Sequence, residues 1–132
     1  MTLDLATANR IIEAGVVEGR AIGRNFSIVV VDSGGHLVAA QRMDGAAFLS
    51  WQIALGKAYA SAAFRRDGPE LQQMAQNVGF VGSLVEITGG KFVASLGAAR
   101  IMEDGQVVGA VGVSGAAPEQ DQQVADAGIK GL

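Results

Sequence analysis

Lys57 lies in the alanine-rich middle of a helical stretch, where a spacing of three and four residues puts it on one face with Ser50, Ala54, Ala60, Ser61 and Phe64. If that face is covered, the ammonium is partly desolvated, its pKa falls, and it becomes a base, an imine former or an anion anchor. If the face is open, Lys57 is a surface residue. Arg42 and Asp44 end a strand, and strand alternation sends them to the same side. There Arg42 offers a bidentate fork to a carboxylate, and Asp44 accepts from a hydroxyl or a helix N-terminus. The plainer alternative is an Arg42 to Asp44 pair plus a helix cap. His36, the single histidine, follows a Gly-Gly turn, where an imidazole can ligate a metal or shuttle protons near neutral pH. With no second His, Cys or carboxylate at ligand spacing, no metal site is expected, and a lone turn histidine such as His36 is more often a solvated edge residue.

A fourth group is the run Gly109 to Gly115 with Ser114, ahead of Pro118, Glu119 and Asp121. Its glycines fall as Gly-x-x-Gly-x-x-Gly without a parallel crossover, so it is no dinucleotide fingerprint, and no Gly-Lys-Ser or Gly-Lys-Thr follows to make a phosphate loop. What remains is a strand leading into a helix N-terminus, where free amides at Gly115 and the Ser114 hydroxyl can hold an anion. Glu119 and Asp121 in that first turn satisfy the same amides in the alternative reading. If helix two, the Arg42 to Asp44 strand end and the Ser114 to Asp121 helix start converge at one rim of a sheet, they make an anion site in which Lys57, Arg42 and Asp44 are candidate catalytic residues and Ser114, Gly115, Glu119 and Asp121 candidate ligand contacts; His36 is a further candidate ligand contact. Lys57→Met would then weaken a carboxylate ligand by about 1–3 kcal/mol with little change in melting temperature.

The elements that must position these groups follow from periodicity. Leu5, Ala8, Ile12, Val16 and Ile22 recur at helical spacing over Leu5 to Gly23, capped by Thr2 or Asp4. Gly15, Gly19 and Gly23, four apart, predict a face pressed against another backbone, inside the chain or in a second subunit. Phe26–Val31 and His36–Met43 flank Asp32-Ser33-Gly34-Gly35 and read as a hairpin. Phe48–Phe64 is a second helix, and Glu70–Asn77, with Pro69 in its first turn, a third. The apolar residues of 80–88 suit an extended segment or an irregular loop. Strands are then expected at Phe92–Leu96, Ala99–Met102 and Val107–Val113, the last two joined by the Glu103-Asp104-Gly105 turn, before a final helix from Pro118 towards Lys130. Met43, Met74, Met102, Trp51, Tyr59 and the five phenylalanines are expected mostly in the core, although they could line an aromatic-ligand pocket.

The 132 residues suffice for one domain, 1–132, with a core of its own; hydrophobic residues make up 49% and aromatics only 5%, so that core is aliphatic. A net charge of −3 with scattered Lys and Arg argues against a nucleic-acid partner. The absence of cysteine excludes disulfides and thiolate chemistry. Without a signal-like N-terminus or a membrane-length apolar run, a cytoplasmic chain with no membrane partner is expected.

Four motifs in order, Val31-Asp32-x-x-Gly35-x-Leu37, Arg42-Met43-Asp44-Gly45-Ala46, Ile53-Ala54-x-x-Lys57-Ala58 and Gly109-Ala110-Val111-Gly112-Val113-Ser114-Gly115 with Asp121 beyond, span nearly the whole chain. The combination resembles the GlcG, HbpS and PduO C-terminal family of haem-binding or haem-degrading domains. The resemblance implies an α/β (α+β) fold of profilin or roadblock type, a five-stranded antiparallel sheet flanked by helices in the order α-β-β-α-α-β-β-β-α. It also implies a homo-oligomer, from dimer to octamer, and haem as a possible cofactor. The first helix, where a haem-ligating histidine would be expected, has none between Leu5 and Arg24. Two functions follow as expectations: binding of a small molecule such as haem or another tetrapyrrole, without strong axial histidine ligation, or cofactor-independent catalysis on a small carboxylated or aromatic metabolite.

Overall fold

The computed structural model describes residues 3–132. In chain order the elements are α1 (Leu5–Ile22), β1 (Ser27–Asp32), β2 (Leu37–Arg42), α2 (Ser50–Phe64), α3 (Gly68–Met74), α4 (Val78–Ile87), β3 (Ala98–Glu103), β4 (Gln106–Ser114) and α5 (Pro118–Lys130). Every strand pairing is antiparallel, in the order β2-β1-β4-β3. The α+β class and the antiparallel sheet agree with the sequence reading, but the sheet has four strands, where five were expected.

The period of two along β1 decides the layering. Ile28 and Val30 face α1 and α5, joining Ile11, Ile12, Val111, Val113 and Val124, whereas Val29 and Val31 face α2 and join Ala54, Ala58, Ala62 and Ala110. The alanine face of α2 lies directly on β4 at Gly112, where a Cβ would collide with the Ala54 carbonyl and stand 2.6 Å from the Ala58 amide. Gly15 and Gly19 of α1 accommodate the Ile28 and Phe26 side chains, so these two glycines serve packing inside the chain. Gly23 instead ends α1 in the left-handed conformation, at φ 80°. Asp4 caps the other end, its carboxylate accepting from the Thr7 amide at 2.7 Å; Thr2, the alternative cap, lies outside the described residues. Asp104 and Gly105, at φ 50° and 76°, make the tight β3–β4 turn that their types predict.

Two segments depart from expectation. The chain from 92 to 96 is no strand, because it crosses over α2 instead of extending the β3–β4 ladder. Its backbone is bonded by other partners: Val93 donates to the Gly56 carbonyl at 3.2 Å, Leu96 to the Gln72 side chain, and Gly97 to that of Gln122 at 2.8 Å. Phe92 is thereby buried with Ala60, Leu71 and Ala98 in a third small cluster. The stretch 80–88 is neither extended nor irregular: 80–87 lie in α4, whose first turn is capped by Asn77 accepting from Phe80, and Thr88 is its C-cap, donating to Leu84. Helical periodicity was hidden there because the outward positions Val78, Val85 and Ile87 are as apolar as the inward Val81 and Leu84. Phe48 and Trp51, expected in the core, are exposed as well, at 78% and 43%.

Candidate functional site

The candidate functional side chains occupy three different places. Lys57 is covered, held to 4% exposure where α2 meets β4 and α5. Its ammonium donates to Asp121 Oδ2 at 2.9 Å and to the Val113 carbonyl at 3.0 Å. Gly97 closes the space above it: a Cβ there would stand 2.8 Å from Nζ. Burial pushes the Asp121 carboxyl above the usual carboxylate value, although Lys57 and the amides of Ala116 and Gly115 pull the other way. Asp121 therefore occupies the anion position at the start of α5, as one of the two sequence readings had it. Glu119 is exposed and takes no part, and Ser114 is buried in the β1–β4 ladder opposite Ser27. Gly115 is exposed, but its α-carbon side faces the Asn25 carbonyl and Phe26.

Arg42 and Asp44 lie elsewhere, exposed along a shallow groove shared with Val16, Arg20, Asn25 and Met43. Among the described residues neither forms an ion pair, and Asp44 does not cap α2, whose N-cap is Leu49. The convergence of Arg42 and Asp44 with Lys57 expected from the sequence is thus not what the fold produces, because a lysine at the centre of a covered helix face is sealed by the layers on both sides.

The third place is a recess of about 290 Å³ between the first hairpin turn and α2, lined by Gly34, Gly35, His36, Leu37, Leu55, Tyr59 and Lys91. Leu55 and Tyr59 reach it together because they stand four apart on α2. The turn approaches so closely that a Cβ on Gly35 would stand 2.8 Å from the Tyr59 ring. His36 is 81% exposed, and its Nδ1 lies 3.2 Å from Asp32 Oδ1, which also accepts from the amides of Gly34 and His36 at 2.9 and 3.0 Å. Against the effect of partial burial, those two amides and the His36 ring hold the Asp32 carboxyl below its usual value. Sequence reasoning passed over Asp32, Leu55 and Lys91 as site residues. A carboxylate four residues before the histidine across a Gly-Gly turn was the available signal.

A four-stranded antiparallel sheet covered by α1 and α5 on one face and by α2 on the other, with its recesses at the edges, defines an α+β sandwich class. Within that class the chain belongs to the HbpS-like family: the model described as "Haem degrading protein HbpS-like" matches residues 3–130. The chain is 35% identical over 130 residues to an uncharacterised 15.0 kDa protein of the dhaT-dhaS intergenic region of Citrobacter freundii, covering 97% of this chain and 90% of that one. It is 38% identical over 107 residues to GlcG of Escherichia coli K12, covering 81% and 77%. Its fold superposes on a PduOC:haem complex with a TM-score of 0.90 at 25% identity, covering 100% of this chain and 96% of that one. No helix among the described residues is long and apolar enough to cross a membrane.

Proposed function

We propose that the protein binds a flat, carboxylated aromatic ligand, haem or a related tetrapyrrole, in the recess beside the first hairpin. The observation that carries this reading is the recess itself. Leu37, Leu55 and Tyr59 offer an apolar wall, while the His36 imidazole and the Lys91 ammonium stand at its rim. Such a wall suits a macrocycle face, an ammonium suits a propionate, and an imidazole is the commonest nitrogen donor to iron. The donor chemistry therefore fits haem, whose iron would supply redox and ligand-exchange chemistry when bound. A recess of about 290 Å³ lies at the small end of ligand pockets and takes one edge of a tetrapyrrole, leaving the rest outside. Weak binding follows, and α1 carries no histidine to strengthen it.

Haemin titration followed by Soret absorbance tests the reading. Leu55→Glu, which puts a charge into the wall, and Lys91→Glu, which repels a propionate, should each weaken binding about tenfold or more, equivalent to at least ~1.4 kcal/mol. Unchanged affinity in both variants would move the ligand away from this recess. A second reading, catalysis on or binding of a small carboxylated metabolite, is favoured by one observation: Arg20 and Arg42 share a groove of about 340 Å³ with Asp44, and neither guanidinium is in an ion pair among the described residues.

A further inference from the structure

We infer that the groove at the end of β2 away from the hairpin turn is a site for a small 2-hydroxy acid, with Arg20 and Arg42 taking its carboxylate and Asp44 accepting its hydroxyl. The inference rests on the second reading above and names the ligand class of that groove. It is independent of the haem reading, because the groove and the hairpin recess share no lining residue. The backbone of the groove is set by packing and hydrogen bonds within the chain. Gly19 leaves room for Met43, since a Cβ on Gly19 would stand 3.3 Å from the Met43 sulfur. That sulfur accepts from the Phe26 amide at 3.4 Å, and the Met43 amide donates to the Phe26 carbonyl at 2.9 Å. Arg42 and Asp44 flank Met43 in the chain and are held by it. The turn that follows is closed by the Ala46 amide donating to the Met43 carbonyl at 3.1 Å, with Gly45 left-handed at φ 85°. Asn25 is clamped beside that turn: a Cβ on Gly45 would stand 2.7 Å from its side-chain nitrogen, and one on Gly115 would collide with its carbonyl. Arg20 reaches the same groove from the last turn of α1.

Charge selects the ligand. Every ion pair among the described residues lies elsewhere, so Arg20, Arg42 and Asp44 keep their charges for whatever enters. Two guanidiniums against one carboxylate leave the groove with an excess positive charge, in a chain that is negative as a whole. A monoanion neutralises that excess, whereas a dianion overshoots it and brings its second charge towards Asp44. A guanidinium presents its donors in a fork that matches a carboxylate. Asp44 only accepts, so it disfavours a bare carboxylic acid and favours one that carries a donor beside its carboxylate. A hydroxyl on the second carbon supplies that donor without adding charge, while an ammonium there makes the ligand neutral and leaves the excess in place. Val16 and Met43 give the groove of about 340 Å³ an apolar patch for a short aliphatic tail.

The test is titration calorimetry with three probes that differ only at the second carbon: 2-hydroxy-4-methylpentanoate, 4-methylpentanoate and leucine. The hydroxy acid should bind wild type about tenfold tighter than either analogue. Arg20→Gln and Arg42→Gln, both changes at exposed positions, should each weaken the hydroxy acid about tenfold or more. Asp44→Ala should bring the hydroxy acid and 4-methylpentanoate to within about twofold of each other, a loss of preference that a merely structural role would not produce. If the hydroxy acid has no advantage over both analogues, or keeps its advantage in Asp44→Ala, the hydroxyl assignment is overturned while the groove remains a carboxylate site. If no probe binds wild type, or both arginine variants bind as tightly as wild type, the groove is not the site and the second reading fails with the inference.

Discussion

Replacing Lys57 by methionine keeps most of the side-chain stem but removes the ammonium that meets Asp121 at 2.9 Å and the Val113 carbonyl at 3.0 Å. The two paired side chains are 5% and 4% exposed, so water cannot stand in for the lost partner. Removing one member of a buried pair typically costs about 3–5 kcal/mol, because the remaining charge is uncompensated. Asp121 keeps the amides of Ala116 and Gly115 and can take up a proton, which places the expected cost near the lower end, about 3 kcal/mol at neutral pH. For a chain of this length that corresponds to a fall in Tm of about 6–12 °C. The pH dependence has a definite sign. Burial raises the folded-state pKa of Asp121, so the folded protein binds that proton more tightly than the unfolded chain does. The stability contributed by this carboxyl is full below its unfolded pKa, ordinarily 3.8, and declines as pH rises through the higher folded value. Without Lys57 the carboxyl rises further, so the deficit of Lys57→Met relative to wild type should be small near about pH 4.5 and largest near about pH 7.5. Urea unfolding followed by circular dichroism at both pH values measures it. A deficit under about 1 kcal/mol at the higher pH, or one that shrinks as pH rises, would refute the buried-pair reasoning and return Lys57 to the role of an accessible anion anchor.

Arg42→Gln changes an exposed residue and should leave Tm within about two degrees of wild type, yet abolish any thermal shift that small hydroxy acids or aromatic acids produce. If no acid in such a panel shifts the wild type, Arg42 and Asp44 lose their part in the second reading. Light scattering at micromolar concentration should give a multiple of the 13.5 kDa chain mass, because Val78 and Val85 of α4, seven apart on one helix face and 78% and 37% exposed, form an apolar stripe that a second copy would cover. A particle of 13.5 kDa would overturn that expectation.

Local signals were legible wherever one residue type dictates one backbone shape. Asp4 and Gly23 at the ends of α1, the Asp32 to Gly35 turn and Asp104-Gly105 all stand where their types predict. The four motifs led to the right family for the same reason: each combines a turn or a close approach with chemistry, as Gly112 does beneath Ala54 and Ala58. Legibility failed where two structures satisfy one local pattern. Phe92 to Leu96 alternates like a strand, but its amides are taken by Gly56, Gln72 and Gln122, all distant in sequence. Val78 to Ile87 is apolar on both sides, so neither a period of 3.6 nor a period of two stands out.

The site was partly legible for a related reason. Lys57, Ser114 and Asp121 were placed together from their positions at two helix faces and a strand end, and Lys57 does meet Asp121 there. Their common purpose was not readable, because the same three elements that bring a lysine to a helix N-terminus also seal it: α5 supplies the counter-ion, β4 the carbonyl, and Gly97 the lid. Once that charge is neutralised internally it has none left for a ligand, and the exposed chemistry shifts to the hairpin. There Asp32 and His36 lie four residues apart in a turn that no layer covers. A covered ion pair and an uncovered imidazole draw on equally polar residue types, and only the packing around them assigns one to holding the fold and leaves the other facing solvent.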